Sequence, residues 1–152
     1  MIFLSWGNVN SLLEYIRNDL FSFYNLLIFV VFMVVHEFIH YVIFRLFGVP
    51  KKNVNIGFSI KKIMPYVKCK TTVRRSVYAT SALAPFLILG LFPLLLSVIM
   101  SSTPLFVFSI VMAKGAAGDL AIVYMVYSQS TKKSLLKDNS DTLGFKVVES
   151  NG

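Results

Sequence analysis

The sequence predicts a mainly α-helical membrane protein, with three transmembrane helices and a cytoplasmic-side β-hairpin between the first and the second. Of the 152 residues, 56% are hydrophobic and only 14% are charged, whereas about 25% of residues are charged in ordinary globular domains. The apolar residues are also gathered into long stretches, and a segment between two of them alternates apolar and polar residues. The chain length suits one integral-membrane domain over residues 1–152.

Three apolar segments reach the roughly 20 residues that a helix needs to cross a bilayer. They cover residues 21–47, 77–100 and 104–127. The last two spans are expected to form a helical hairpin, because residues 101–103 between them leave room only for a tight turn. Pro85, Gly90 and Pro93 predict kinks in the second span, where the bilayer setting tolerates them.

The segment before the first span predicts an interfacial arm, residues 1–20, rather than a cleavable signal peptide. Leu12, Leu13, Ile16 and Leu20 recur there at helical spacing, between charged residues. After the third span, the polar tail of residues 128–152 is expected to be loosely ordered, although its "GFKVV" stretch could form a short strand.

The basic residues predict the orientation of the chain. Between the first two spans lie Lys51, Lys52, Lys61, Lys62, Lys68, Lys70, Arg74 and Arg75, and after the third span lie Lys132, Lys133, Lys137 and Lys146. Since lysine and arginine concentrate on the cytoplasmic side, the long loop and the C-terminus are expected in the cytoplasm and the N-terminus outside. The localisation expected is therefore a multi-pass cell membrane protein.

The composition also excludes several classes of function. The net charge of +8 comes from residues that flank apolar spans, and no nucleic-acid recognition motif accompanies it, so the expected partner of the charge is the bilayer. The single cysteine, Cys69, makes an internal disulfide and a four-cysteine zinc site impossible.

The cytoplasmic loop predicts a β-hairpin over residues 53–71. Val54, Ile56, Phe58 and Ile60 alternate with polar or small residues, which is typical of a half-buried strand. A second alternating stretch follows Lys62, and its Pro65 indicates a sheet edge or an irregular start.

The candidate site lies in the first span, where "HEFIH" gives the pattern HExxH. His36 and His40 are four residues apart, so on a helix they share one face and can grip one zinc ion, while Glu37 can serve as general base. An Asp, Lys or Arg side chain at the centre of a span costs about 2.5–3.5 kcal/mol on insertion scales, which indicates how expensive ionisable groups are there. We therefore expect these three residues to have a functional role.

A catalytic zinc usually takes a third protein ligand. Besides Glu37, the only acidic residue within a predicted span is Asp119. Counted from the cytoplasmic ends of their spans, His36, His40 and Asp119 lie at depths of roughly 16, 10 and 12 Å. Asp119 is thus the expected third ligand, and the alternative is an ion pair with Lys114. Lys114 itself could pair with Glu37 or Asp119, reach the headgroups, or steady an oxyanion.

These motifs carry a family resemblance. HExxH in the first span, a β-hairpin after it and an aspartate in a later span resemble the core of site-2 proteases, the intramembrane zinc metallopeptidases. The small size and the Gly-Asp-Leu form of the second motif resemble more closely a family of small bacterial membrane proteins described as zincin peptidases. The likeness covers about residues 21–127, and it implies a zinc site of His36, His40 and Asp119 with Glu37 as catalytic base. In site-2 proteases the glycine usually follows the aspartate, whereas here Gly118 precedes it.

The resulting hypothesis is an intramembrane zinc metalloprotease with one zinc ion, acting on transmembrane or membrane-associated proteins near the cytoplasmic face. Val54, Ile56 and Phe58 are candidates for pairing with an unwound substrate segment, and the alternative is a hairpin that only packs at the membrane face. The main rival function is a non-catalytic zinc-binding membrane protein, either a pseudo-protease or a partner-binding module. A metal transporter or sensor and a hydrolase of lipids or prenyl groups are further alternatives.

Overall fold

The computed structural model describes residues 9–59, 64–131, 134–138 and 145–148 and is mainly helical. The helices are α1 (Val9–Asn18), α2 (Phe23–Leu46), α3 (Arg75–Pro85), α4 (Phe92–Met100), α5 (Thr103–Gly115) and α6 (Ala117–Gln129). The strands are β1 (Val54–Ser59), β2 (Met64–Cys69), β3 (Val73–Arg74), β4 (Leu135–Asp138) and β5 (Phe145–Val148). The predicted turn around Lys61 and Lys62, the first eight residues of the arm, and Lys132 and Lys133 lie outside the described residues.

The first span is the helix α2, and the arm before it contains the expected short helix, α1. The Ser22 hydroxyl begins α2 by accepting a hydrogen bond from the backbone N–H of Asn25 at 3.3 Å, which satisfies one of the free donors of the first turn. The Asn25 side chain donates to the Tyr15 hydroxyl at 3.2 Å and to the Asp19 carbonyl at 2.7 Å. These bonds tie the arm to the start of the span.

The second span is one helix of 26 residues from Arg75 to Met100, whose middle is π-helical over Phe86–Leu91. Prolines flank that stretch, and the Phe92 N–H bonds the carbonyl of Leu87, five residues earlier. Pro93 has no N–H to donate to the α-helical hydrogen bonds, so the wider turns of a π-helix are tolerated before it. Where the sequence predicts kinks, the structure has a π-helical stretch within one continuous helix.

The tight turn after α4 joins the second and third spans, as predicted. Ser101 takes a left-handed conformation with φ 52°, and the Ser102 hydroxyl caps α5 by accepting from the Leu105 N–H at 3.4 Å. The third span, however, is not the single helix that the sequence predicts. α5 and α6 meet at Ala116 with a bend of 45°. The glycines on either side of the bend, Gly115 and Gly118, have little preference for helix and lower the cost of interrupting it.

Two helices are thus long and apolar enough to cross a membrane, or three if the bent pair α5–α6 counts as one span. This finding agrees with a membrane protein by length and composition.

Two small sheets lie at one end of the helices. β1 and β2 form the predicted antiparallel hairpin, in which Val54 faces Cys69 and Phe58 faces Pro65. β3, β4 and β5 form a second antiparallel sheet. The sheets and helix ends share one buried cluster: Phe44, Val49, Val54, Cys69, Val73, Tyr78, Ala79, Val126 and Leu136.

The expectation of a loosely ordered tail is wrong for residues 134–138. Leu136 of β4 is fully buried and pairs with Val73, which precedes it by more than 60 residues. The strand suggested by "GFKVV" is present as β5, which pairs with β4. The tail thus completes the core instead of trailing from it.

Candidate metal centre and its cavity

The helix α2 presents His36, Glu37 and His40 on one side of the molecule. The rings of the two histidines lie with their centroids 5.1 Å apart in an edge-to-face arrangement. Atoms able to bind a metal on these three residues all lie within 4.8 Å of one another. Because α2 is uninterrupted through this region, it brings together the side chains of His36 and His40, as their spacing of four residues predicts.

Asp119 reaches the same point from the other side of the bundle. Its Oδ2 lies 2.9 Å from Nε2 of His36 and 3.5 Å from Nε2 of His40. Asp119 stands in the first turn of α6, directly after the bend at Ala116. The side chains of both histidines are 12% exposed and that of Asp119 is 20% exposed, so the three groups meet in a largely enclosed place.

A backbone carbonyl orients one of the histidines. Nδ1 of His40 lies 2.8 Å from the Ser81 carbonyl, which can accept only, so Nδ1 carries the proton. Nε2 is then the nitrogen left to ligate a metal, and it faces Asp119. A ligating histidine commonly has its second nitrogen held in this way. Ser81 itself is buried within α3, so this support comes from the second span.

These donors fit zinc. Two imidazole nitrogens and a carboxylate oxygen are typical protein ligands of a catalytic zinc ion, and the carbonyl behind His40 supplies the usual outer support. The residues that could hold the metal are therefore His36, His40 and Asp119, while Glu37 lies next to them with its carboxylate available as a base.

The group of four opens into a cavity of about 430 Å³. Strand β2 forms one wall with five consecutive residues, Met64 to Lys68, and the backbone N–H of Val67 interacts with the Glu37 carboxylate. The other lining residues include Tyr78, Gly118, Ile122 and Asp138. The strand that follows the site in sequence thus lies directly over Glu37.

The other residues singled out from the sequence lie elsewhere. Val54 is buried in the core, while Ile56 and Phe58 are exposed, and none of the three is among the cavity-lining residues. Lys114 is exposed and likewise lies outside that lining. The ion pairs of Asp119 within the described residues are with His36 and His40, so the alternative of an Asp119–Lys114 pair is not what the structure contains.

Three residues of the site and its cavity were not predicted from the sequence: Ser81, Tyr78 and Asp138. Ser81 acts through its backbone carbonyl, which no side-chain motif reveals. Tyr78 and Asp138 line the cavity and hydrogen-bond each other across 60 residues of sequence. A buried polar pair so far apart in sequence leaves no local periodicity by which it could be found.

A family model described as "Putative zincin peptidase" matches residues 29–134, well over half of the chain. The chain belongs to this family. The match includes both HExxH and Asp119, and membership suggests a zinc metallopeptidase. No curated protein and no solved structure matches the chain.

Proposed function

We propose that the protein is an intramembrane zinc metalloprotease that hydrolyses peptide bonds of membrane-embedded substrates near the cytoplasmic face. The observation that carries this proposal is the convergence of His36, His40 and Asp119 beside Glu37 in one cavity. Membership of a zincin family supports the peptidase chemistry. The likeness to site-2 proteases rests on the order of the motifs along the chain.

Each residue of the site has a definite part in such a reaction. Bound zinc would supply a Lewis acid that polarises the scissile carbonyl, with His36, His40 and Asp119 as its ligands. Glu37 accepts the proton of the attacking water and passes it to the leaving amine. The Val67 N–H lies near the Glu37 carboxylate, so β2 passes beside that base.

The surface of the helices supports a position inside the bilayer. None of the most apolar 18 residues of α2 is buried within the protein, and such a continuous exposed apolar surface is typical of contact with lipid. Most of the lysine and arginine residues in the described part of the chain lie beyond the ends of the long helices, in or beside the sheets: Lys51, Lys52, Lys68, Lys70, Arg74, Lys137 and Lys146. By the positive-inside rule the sheets then face the cytoplasm, and so does the end of α2 that carries the site.

The substrate is proposed to be a transmembrane or membrane-associated protein whose cleaved segment is extended. A helix hides its peptide groups in internal bonds, so the segment must unwind before a protease can reach them. The edge of β2 lines the cavity, and its outward carbonyls could accept hydrogen bonds from that segment in a partial form of strand addition. Its position makes Met64 to Lys68 better candidates for this contact than the predicted Val54, Ile56 and Phe58.

The decisive test compares Glu37→Gln with wild type for cleavage of co-expressed single-span substrates. Glu14→Gln, the same change at an exposed position of α1, is the matched control. Cleavage should disappear in Glu37→Gln alone, while zinc content of the purified protein stays near one ion per chain. Persistent cleavage would refute the mechanism.

A second variant separates the metal site from the catalysis. His36→Ala/His40→Ala should lose zinc, and equal zinc in this variant and wild type would refute the site. Retained zinc with no cleavage by wild type of any membrane substrate would instead favour the non-catalytic zinc-binding protein.

A further inference from the structure

Asp138 is the last residue of β4, and its carboxylate connects two other elements of the cavity wall. The Tyr78 hydroxyl of α3 donates to Oδ1. The Cys69 backbone N–H, at the end of β2, donates to Oδ2 at 2.5 Å. Asp138 and Tyr78 both line the cavity that holds the candidate metal ligands. One side chain of the tail thus joins the strand over the site to the helix that supports His40.

The elements on which Asp138 and Tyr78 stand are packed into the core. Leu136, two residues earlier in β4, is fully buried in the core. The Tyr78 ring is 5% exposed and packs against Phe44 and Phe145, with ring centroids 6.3 and 5.7 Å away. β4 is therefore a built-in part of the fold and not a detachable segment that covers the site.

The bond to Cys69 acts on the same edge of β2 that faces Glu37. The Lys70 N–H points the other way and bonds Asn53, before β1. Along a strand, successive N–H groups alternate in direction, so Val67 and Cys69 direct theirs to one side. The Val67 N–H lies near the Glu37 carboxylate, and the Cys69 N–H bonds the Asp138 carboxylate. A strand fixed at Cys69 has little freedom two residues earlier, at Val67.

We infer that Asp138 is a positioning residue for the peptidase site, holding β2 in place over Glu37 so that a substrate segment binds in the productive register. This inference rests on the proposed function and deepens it, because it assigns the tail a part in substrate binding. Asp138 acts through β2 and touches neither metal nor substrate. The contrary arrangement, in which Asp138 blocks the edge that a substrate needs, predicts that its removal increases activity.

The anchor can be tested without any substrate, by alkylation of Cys69. Cys69 is the sole cysteine of the chain and is fully buried, so a maleimide reports the opening of this end of β2. Asp138→Asn keeps both contacts, since its amide oxygen can accept from Cys69 and its NH2 can donate to the Tyr78 oxygen. Asp138→Ala removes both. The two variants lose the same charge, so any effect of that charge on the thiol cancels between them.

Alkylation should be about tenfold faster in Asp138→Ala than in Asp138→Asn, the change expected when the two neutral hydrogen bonds of the asparagine are lost. If Asp138→Ala does not fold, Tyr78→Phe is compared with wild type instead, because both keep the Asp138 charge and differ only in the bond from Tyr78. Equal rates within the pair compared would overturn the anchor.

Kinetics on a cleaved peptide then test the positioning role. Asp138→Ala should raise KM about tenfold with a smaller change in kcat, Asp138→Asn should restore KM, and zinc content should be unchanged in both. Zinc loss, a KM equal to that of wild type, or increased activity would each overturn the inference. If alkylation is faster in Asp138→Ala but wild type cleaves no peptide, the anchor stands. Its role in a peptidase is then overturned together with the proposed function.

Discussion

Gly90 lets α5 approach the π-helical part of the second span, and the structure predicts the cost of filling that space. A Cβ on Gly90 would lie 3.2 Å from the Cβ and 3.3 Å from the Cα of Ala113. The Cα belongs to the backbone and cannot rotate away. Gly90→Val, which adds two methyl groups beyond that Cβ, must therefore push the helices apart. Overpacking of this kind typically costs about 1–3 kcal/mol.

The matched control is Gly118→Val in α6. A Cβ at Gly118 meets nothing within 4 Å, so the same substitution should change the free energy of unfolding by no more than about 0.5 kcal/mol. Ala113→Gly in the Gly90→Val background removes the nearer of the two contacts and should recover part of the loss.

The assay is unfolding of the purified variants by increasing SDS, with the concentration of the purification detergent held fixed. Circular dichroism follows the loss of structure. The midpoint should fall for Gly90→Val, stay near wild type for Gly118→Val, and rise again when Ala113→Gly is added. A Gly90→Val midpoint equal to that of Gly118→Val would show that the spans can separate without cost. The close approach of Gly90 to Ala113 would then contribute nothing to stability.

Three more outcomes are expected. Leu136→Ala should lower the free energy of unfolding by about 2–5 kcal/mol, measured in the same assay, because Leu136 is fully buried; a loss below about 0.5 kcal/mol would mean that the tail is not part of the core. Gly57→Val should raise KM for a peptide without loss of zinc, because its Cβ would meet the Tyr66 hydroxyl at 2.5 Å and displace a ring that lines the cavity; restored KM in Gly57→Val/Tyr66→Ala would identify the ring as the cause, and an unchanged KM in Gly57→Val would contradict it. Burial raises the pKa of Asp138 above its ordinary 3.8, so the folded state binds its proton more tightly than the unfolded state. Relative to Asp138→Asn, wild type should therefore lose stability as pH rises from about 4 through the raised pKa, and a pH-independent difference between the two would refute the shift.

The sequence contained most of the information about the candidate site. The spacing of His36 and His40 is a local property of one helix, and the helix forms because its span is apolar throughout. The depth argument for Asp119 needed only the rise of a helix and the distribution of lysine and arginine. In the structure the Asp119 carboxylate does lie against both histidines, 2.9 and 3.5 Å from their Nε2 atoms.

What the sequence did not reveal depends on contacts between distant segments. The bend at Ala116 occurs inside an apolar run that is long enough to be one straight helix, so hydropathy alone does not indicate it. β4 is four residues long and lies in a polar tail, and its pairing with β3 is decided by Leu136 entering a core built from other elements. Asp138 and Tyr78 meet only after that pairing exists.

The outer edge of β2 also has a consequence for how copies of this protein behave towards one another. Pro65 has no N–H, and the N–H groups of Val67 and Cys69 on that edge are directed to the carboxylates of Glu37 and Asp138. An exposed strand edge with free donors is a template for pairing with a second chain and for aggregation. Because the described residues of β2 leave no such donor free on this side, a full ladder of strand pairing with a second copy cannot form through it. The groups that prepare the site thus also limit self-association through this edge.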